Sequence, residues 1–344
     1  MSANEFTRRG FISGGMAAAA SLALPARAVE LPPDPTPEEL AELRSAWGYF
    51  LDPPDDYAGS FPREAKLLGK YAHPNCDVEV WLQNSGPDGM RQRVVKAYPK
   101  NSAGRRLPAV VTPFYYPEAL LGCAADDPNK VEKWGSVRFM KDLVERGYAV
   151  YGADAFHNAI KCDLPRNDWS RHAMAARLIW KDYPTWTMKG KHLFDSMLVV
   201  DLMMRDERID PKRIAAAGHS MGGHMASFLG CWDDRISAVI TSDYGLFPWQ
   251  SSPEGEYCGK FLALQDSGLG YPELLTLAHG KPFCLLAGMY DTDESFAQML
   301  RAKGYRKCPE NLFFVNHATG HRPPPWALEA AYRFLDLRFN HNLG

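Results

Sequence analysis

Ile214-Ala215-Ala216-Ala217-Gly218-His219-Ser220-Met221-Gly222-Gly223 runs from a short apolar strand, through a glycine-flanked turn, into an apolar helix predicted over Met221 to Leu229. The turn is sharp, and Gly218 and Gly222 stand where neighbouring side chains would collide with it. A bare Gly-x-Ser-x-Gly carries little information. At a strand–turn–helix junction it carries more, because it sets the Ser220 hydroxyl at a strand end beside the free N–H groups of a helix. A hydroxyl so placed can serve as a nucleophile, with the helix end facing a developing oxyanion. The competing reading is a Gly-rich strand-to-helix turn without chemistry.

A serine nucleophile needs a base, and the base needs an orienting acid. Gly288-Met289-Tyr290-Asp291 follows the apolar run Phe283 to Ala287, and Ala318-Thr319-Gly320-His321 follows Leu312 to Val315. Both motifs fall just past C-terminal strand ends, where the sites of parallel sheets gather. We read His321 as the base and Asp291 as the acid. His317 competes with His321, and Asp243 and Asp293 compete with Asp291. Asp291 and Asp293 are also placed to cap the helix predicted from Ser295. His219 and His224 flank the turn, but no spacing of ligating residues supports a metal.

Around this core, strand-like and helix-like runs alternate. Ala109 to Val111, Ala149 to Tyr151, Ile214 to Ala217, Ile236 to Ile240, Phe283 to Ala287 and Leu312 to Val315 read as strands. Val131 to Arg146, Met197 to Met204, Met221 to Leu229, Ser295 to Ala302 and Trp326 to Phe339 read as helices. The fold class is therefore α/β, a mostly parallel central sheet covered by helices on both faces. Val78 to Leu82 and Val94 to Tyr98, joined by the turn Ser85-Gly86-Pro87-Asp88-Gly89, predict antiparallel strands ahead of it. Two aromatic-rich stretches, about 156–186 and 246–279, break the alternation and read as pocket-forming insertions.

Asp210-Pro211-Lys212-Arg213-Ile214, the Gly218 to Gly223 turn, Asp233-Asp234-Arg235-Ile236, Asp291 and Gly320-His321 together resemble the α/β-hydrolase superfamily. The likeness is greatest to its dienelactone-hydrolase and acetylxylan-esterase-like branch, and it spans roughly Val94 to Phe339. It implies a carboxylic ester hydrolase with a Ser220–Asp291–His321 triad and no cofactor. It also implies that the Met221 backbone N–H supplies half of an oxyanion hole. The loop after Ala109 to Val111 would supply the other half. Where relatives carry His-Gly-x, this chain has Pro113-Phe114-Tyr115-Tyr116, which aligns Tyr116 with the second donor. Simple pocket wall is the other reading of the two tyrosines.

Composition narrows the setting. A formal net charge of −2 and 23% charged residues give no electrostatic case for nucleic acid or an anionic membrane. Thr7-Arg8-Arg9-Gly10-Phe11-Ile12, an Ala-rich stretch and Pro25-Ala26-Arg27-Ala28 have the three parts of an export signal, and the arginine pair resembles a twin-arginine signal. The apolar stretch is too short for a span, which takes about 20 residues, so no stable membrane insertion is expected. Residues 1–28 are thus read as a signal handled by the twin-arginine export machinery, 29–60 as a connector with a short helix, and 61–344 as the hydrolase domain. A periplasmic or secreted protein follows. Its seven cysteines then meet an oxidising compartment, and their odd number leaves at least one unpaired within the chain.

The expected partner is a small-molecule or polymer-linked ester. Two rivals stand beside it. A serine peptidase of the prolyl-oligopeptidase type shares the motif order but usually carries a β-propeller, for which the stretch before Leu107 is short. A non-catalytic binding protein on the same scaffold would typically have lost one of the three catalytic residues.

Overall fold

The computed structural model describes residues 30–57, 59–100, 102, 104–135, 137–247, 260–288, 291 and 293–342. The export signal read over 1–28 lies outside them, as does 248–259 of the second insertion.

Nine strands make one sheet: β1 (Ala65–Ala72), β2 (Cys76–Asn84), β3 (Arg91–Pro99), β4 (Leu107–Val111), β5 (Ala149–Ala153), β6 (Ile209–His219), β7 (Ala238–Ser242), β8 (Phe283–Ala287) and β9 (Leu312–Asn316). Their spatial order is β1-β2-β3-β5-β4-β6-β7-β8-β9. The pairs from β1 to β5 are antiparallel, and every pair from β5 through β9 is parallel. This is the α/β-hydrolase fold. The antiparallel pair expected before Leu107 is present, with β1 added at the edge. No residue of β1 is buried, so the strand lacks the apolar alternation that would have revealed it.

The period of two along each strand splits the core. Ala109 and Val111 on β4 and Ile214 and Ala216 on β6 face one apolar layer, while Val110, Ala215 and Ala217 face the other. Residues from helices Pro37–Leu51, Met188–Met204 and Met221–Trp232 fill the first layer, and those from Phe139–Glu145 and Pro325–Phe339 fill the second. Phe228, with no exposed surface, meets Trp47 at 5.8 Å between ring centroids. Each such ring stabilises the fold by about 1.5–3 kcal/mol through burial alone. The first helix starts as its sequence requires: Thr36 and Glu39 form a reciprocal capping box with Pro37 in the first turn.

One expectation needs correction. The helix read over Val131 to Arg146 begins only at Phe139. Gly135 takes φ +106°, and a Cβ there would lie 2.6 Å from the Ala119 carbonyl. Arg138 ties this segment to the backbone carbonyls of Ala119, Glu132 and Trp134. Tertiary contacts override helical propensity. The first insertion is also more regular than it reads, since it holds a helix at Trp169–Asp182 capped by Asp168. In the second, the described residues form the short helices Phe261–Asp266 and Tyr271–Thr276.

The six described cysteines are free thiols, and Cys284 is a fully buried core residue of β8. No helix among the described residues is long and apolar enough to cross a membrane.

Candidate active site

Ser220 sits between β6 and the helix Met221–Trp232 with φ 55° and ψ −124°. A non-glycine residue held at positive φ stores about 1–3 kcal/mol of strain, which the surroundings must over-determine. They do. Its N–H donates to the Ser242 carbonyl on β7 at 2.8 Å, and its own carbonyl accepts from Gly223 N–H at 2.8 Å. A Cβ on Gly218 would fall 1.9 Å from the Gly222 carbonyl oxygen, and one on Gly222 would fall 2.1 Å from the Pro113 carbonyl oxygen. Both obstacles are backbone and cannot rotate away. Gly222→Ala should therefore cost well over about 2 kcal/mol and most of the site's function. Denaturant unfolding of the variant checks this, and a stable, unaltered protein would contradict the reading of the turn.

The Gly222 contact also places the loop after β4 against the turn. Tyr116 occupies the N-cap of the helix Pro117–Leu121 with an extended backbone. Its ring stacks on Trp134 at 5.6 Å and lies 4.1 Å beneath the Arg166 guanidinium. Phe114 stacks on Trp134 at 5.4 Å, and Tyr115 meets Trp134 edge-on. The loop is thus an aromatic wall at the strand end that bears Ser220. Arg166, Arg93, Glu118 and Asp154 form a paired charge network behind it. Nothing in their spacing announced that network.

Histidines and carboxylates meet at the ends of β6, β7 and β9. His317 Nε2 lies 3.0 Å from Asp243 Oδ1, and its Nδ1 lies 2.6 Å from the Thr319 hydroxyl. The Thr319 N–H also points at Nδ1, which makes Nε2–H the donor to Asp243. Ser242 Oγ donates to Asp243 Oδ2 at 2.7 Å and lies 3.1 Å from His219 Nδ1. Burial, reinforced by the charges of His321, His317 and Arg322, pushes the His219 imidazole down to about 3. His219 is therefore a neutral donor. Gly288 faces the His317 ring so closely that a Cβ would lie 2.3 Å from its Cε1.

The two competing histidines differ in access. His317 has no exposed side-chain surface and both ring nitrogens are engaged. His321 is half-buried and packs against His219 at 4.7 Å between ring centroids. Burial lowers the His321 pKa below its ordinary value, the Asp243 charge raises it in part, and Arg322 adds to the lowering. The three aspartates separate as well. Asp243 serves His317 and Ser242 at the end of β7. Asp291 is buried just past β8, and its Oδ1 accepts the Leu246 N–H at 2.8 Å. Asp293 is the first residue of the helix Asp293–Met299, and its Oδ1 accepts from Asn316 Nδ2 at 3.0 Å. Ser242, Thr319 and Arg166 went unread in the sequence. Only Ser242 left a signal, as the last residue of an apolar strand ending in Ser-Asp.

No family model matches the chain, and no curated protein matches it. Solved structures do. A glucuronoyl esterase from Solibacter usitatus is 11% identical with TM-score 0.62, over 87% of this chain and 92% of that one. A promiscuous CE15 esterase from a marine bacterial metagenome is 14% identical with TM-score 0.64, over 86% and 90%. Acetyl Xylan Esterase 1 from a Thermoanaerobacterium species is 14% identical with TM-score 0.52, over 89% and 99%. At such identities the likeness is one of fold.

Proposed function

We propose that this chain is a serine carboxylic-ester hydrolase working through an acyl-enzyme. The observation that carries the reading is Ser220, held at positive φ on a glycine-locked turn, with the half-buried His321 packed against the adjacent His219 at 4.7 Å between ring centroids. Ser220 Oγ attacks the ester carbonyl as its proton passes to His321. The backbone N–H groups of Met221 and Tyr116 take the oxyanion, each worth a few kcal/mol. His321 returns the proton to the leaving alcohol, and water then repeats the sequence to free the acid. Asp291, anchored through Oδ1 by Leu246, orients the His321 ring. Asp243 adds its charge to the stabilisation of the imidazolium.

Esters carried on carbohydrate are the substrate class that the structural neighbours suggest. The partly exposed Tyr115 and Trp134 rings of the aromatic wall give a surface on which a sugar can rest. The rival reading is a peptidase. It loses support because residues 65–99 are strands of the same sheet rather than part of a separate propeller. Nitrophenyl esters of increasing acyl length, run beside aminoacyl anilides, separate the two. Short-chain esters should turn over at least about a hundredfold faster. A preference for prolyl or aminoacyl anilides would hand the case to the peptidase.

Export completes the proposal, with the periplasm or the medium as the working compartment. Replacing Arg8 and Arg9 by Lys should strand the full-length precursor inside the cell, and the mature protein should begin near Val29. Recovery of an exported but uncleaved chain would contradict a cleavable signal.

A further inference from the structure

Lys96 on β3 is buried, with 4% of its surface exposed. Its Nζ lies 4.2 Å from the centroid of the Trp81 ring and 5.0 Å from that of Tyr151. Ring faces attract an ammonium but do not replace hydrogen-bond acceptors for its three N–H groups. Among the described residues, no hydrogen bond or ion pair reaches this nitrogen.

The nearest acids are already taken. Glu79, directly across from Lys96 in the β2–β3 register, is held by Arg208, Lys70 and the Trp81 indole N–H. Asp206 accepts from the Tyr98 and Tyr151 hydroxyls and from Arg208. Burial accordingly pushes the Lys96 amine down to about 8, partly offset by Asp206 and Glu79. The Lys96 amine therefore has no protein acceptor among the described residues and is left to whatever enters the space it faces, whereas a Met would fill that position without needing one. Lys96 lines a solvent-open cavity of about 460 Å³ together with Trp81, Arg205 and Arg208. The cavity lies at the start of β6, the length of that strand away from Ser220.

We propose that this cavity is a binding site for a small monocarboxylate, held by the Lys96 ammonium with the Arg205 guanidinium at its mouth. Asp206 and Glu207 also line it, and their charge selects one negative charge over two. The site stands apart from the proposed ester chemistry and does not depend on it.

Trinitrobenzenesulfonate labelling of the full-length protein, read at the Lys96 peptide by mass spectrometry, tests the proposal. Acetate and benzoate should slow labelling of Lys96 saturably, by about tenfold at ten times the dissociation constant. Matched chloride should leave it unchanged. Calorimetry on Lys96→Met should show that heat of benzoate binding is lost while ester turnover is kept. Absence of carboxylate protection in the wild type, or a Lys96 that never labels, overturns the site whether or not the variant folds. Equal protection by inorganic phosphate overturns the monocarboxylate assignment.

Discussion

Ser220→Ala should lose ester turnover by about a millionfold and all labelling by a fluorophosphonate probe, while remaining folded. The size follows from removing the only atom that bonds to substrate, with the oxyanion donors and base left in place. The fold should survive because the hydroxyl faces the site and contributes little packing. A second variant isolates the strain. Ser220 is held at φ 55°, which costs alanine as much as serine but costs glycine little. Ser220→Gly should therefore unfold at higher denaturant than Ser220→Ala, by about 1 kcal/mol. Retained labelling in the alanine variant would remove Ser220 from the mechanism. Equal stability of the two variants would remove the strain argument alone.

The second large effect separates two buried carboxylates. Asp291→Asn should lower turnover by about ten thousandfold, because an amide cannot hold the His321 tautomer or balance its positive charge. Its fold should persist, since Asn retains an acceptor for the Leu246 N–H. Asp243→Asn should behave differently. It leaves His317 and Ser242 facing an amide, at a cost of about 1–3 kcal/mol in stability, with a much smaller loss of rate. It should also move the pH profile. The base must be neutral to accept the Ser220 proton, so activity falls as pH drops through the His321 pKa. Burial already holds that pKa below its ordinary value, and Asp243 raises it in part. Removing the Asp243 charge should lower it further, shifting the acid limb of kcat/KM to lower pH. Melting curves and pH profiles of both variants check this. An active Asp291→Asn beside an inactive Asp243→Asn would move the orienting acid to the end of β7.

Much of this molecule was legible along the chain because its rules are local. Short apolar runs marked the parallel strands, and β8 was read to the residue. The glycines of the Ser220 turn declared themselves, since no other residue avoids backbone 1.9 to 2.1 Å away. The helix start at Thr36, with Pro37 in its first turn, was equally local. Edge strand β1 was not legible, because a strand without a buried face has no apolar period.

What the chain could not disclose were relations across strand order. His317 and Asp243 are 74 residues apart and meet only because β7, β8 and β9 lie side by side. That meeting buries one histidine and leaves the other, four residues on, open to the site. The burial of Lys96 was hidden from the sequence for a similar reason. Its burial depends on Trp81 and Tyr151 from neighbouring strands, and the acids that would have paired it are claimed by Arg208. Local sterics and periodicity are written into consecutive residues, whereas the allocation of charges and donors among distant partners is settled only when the sheet is assembled.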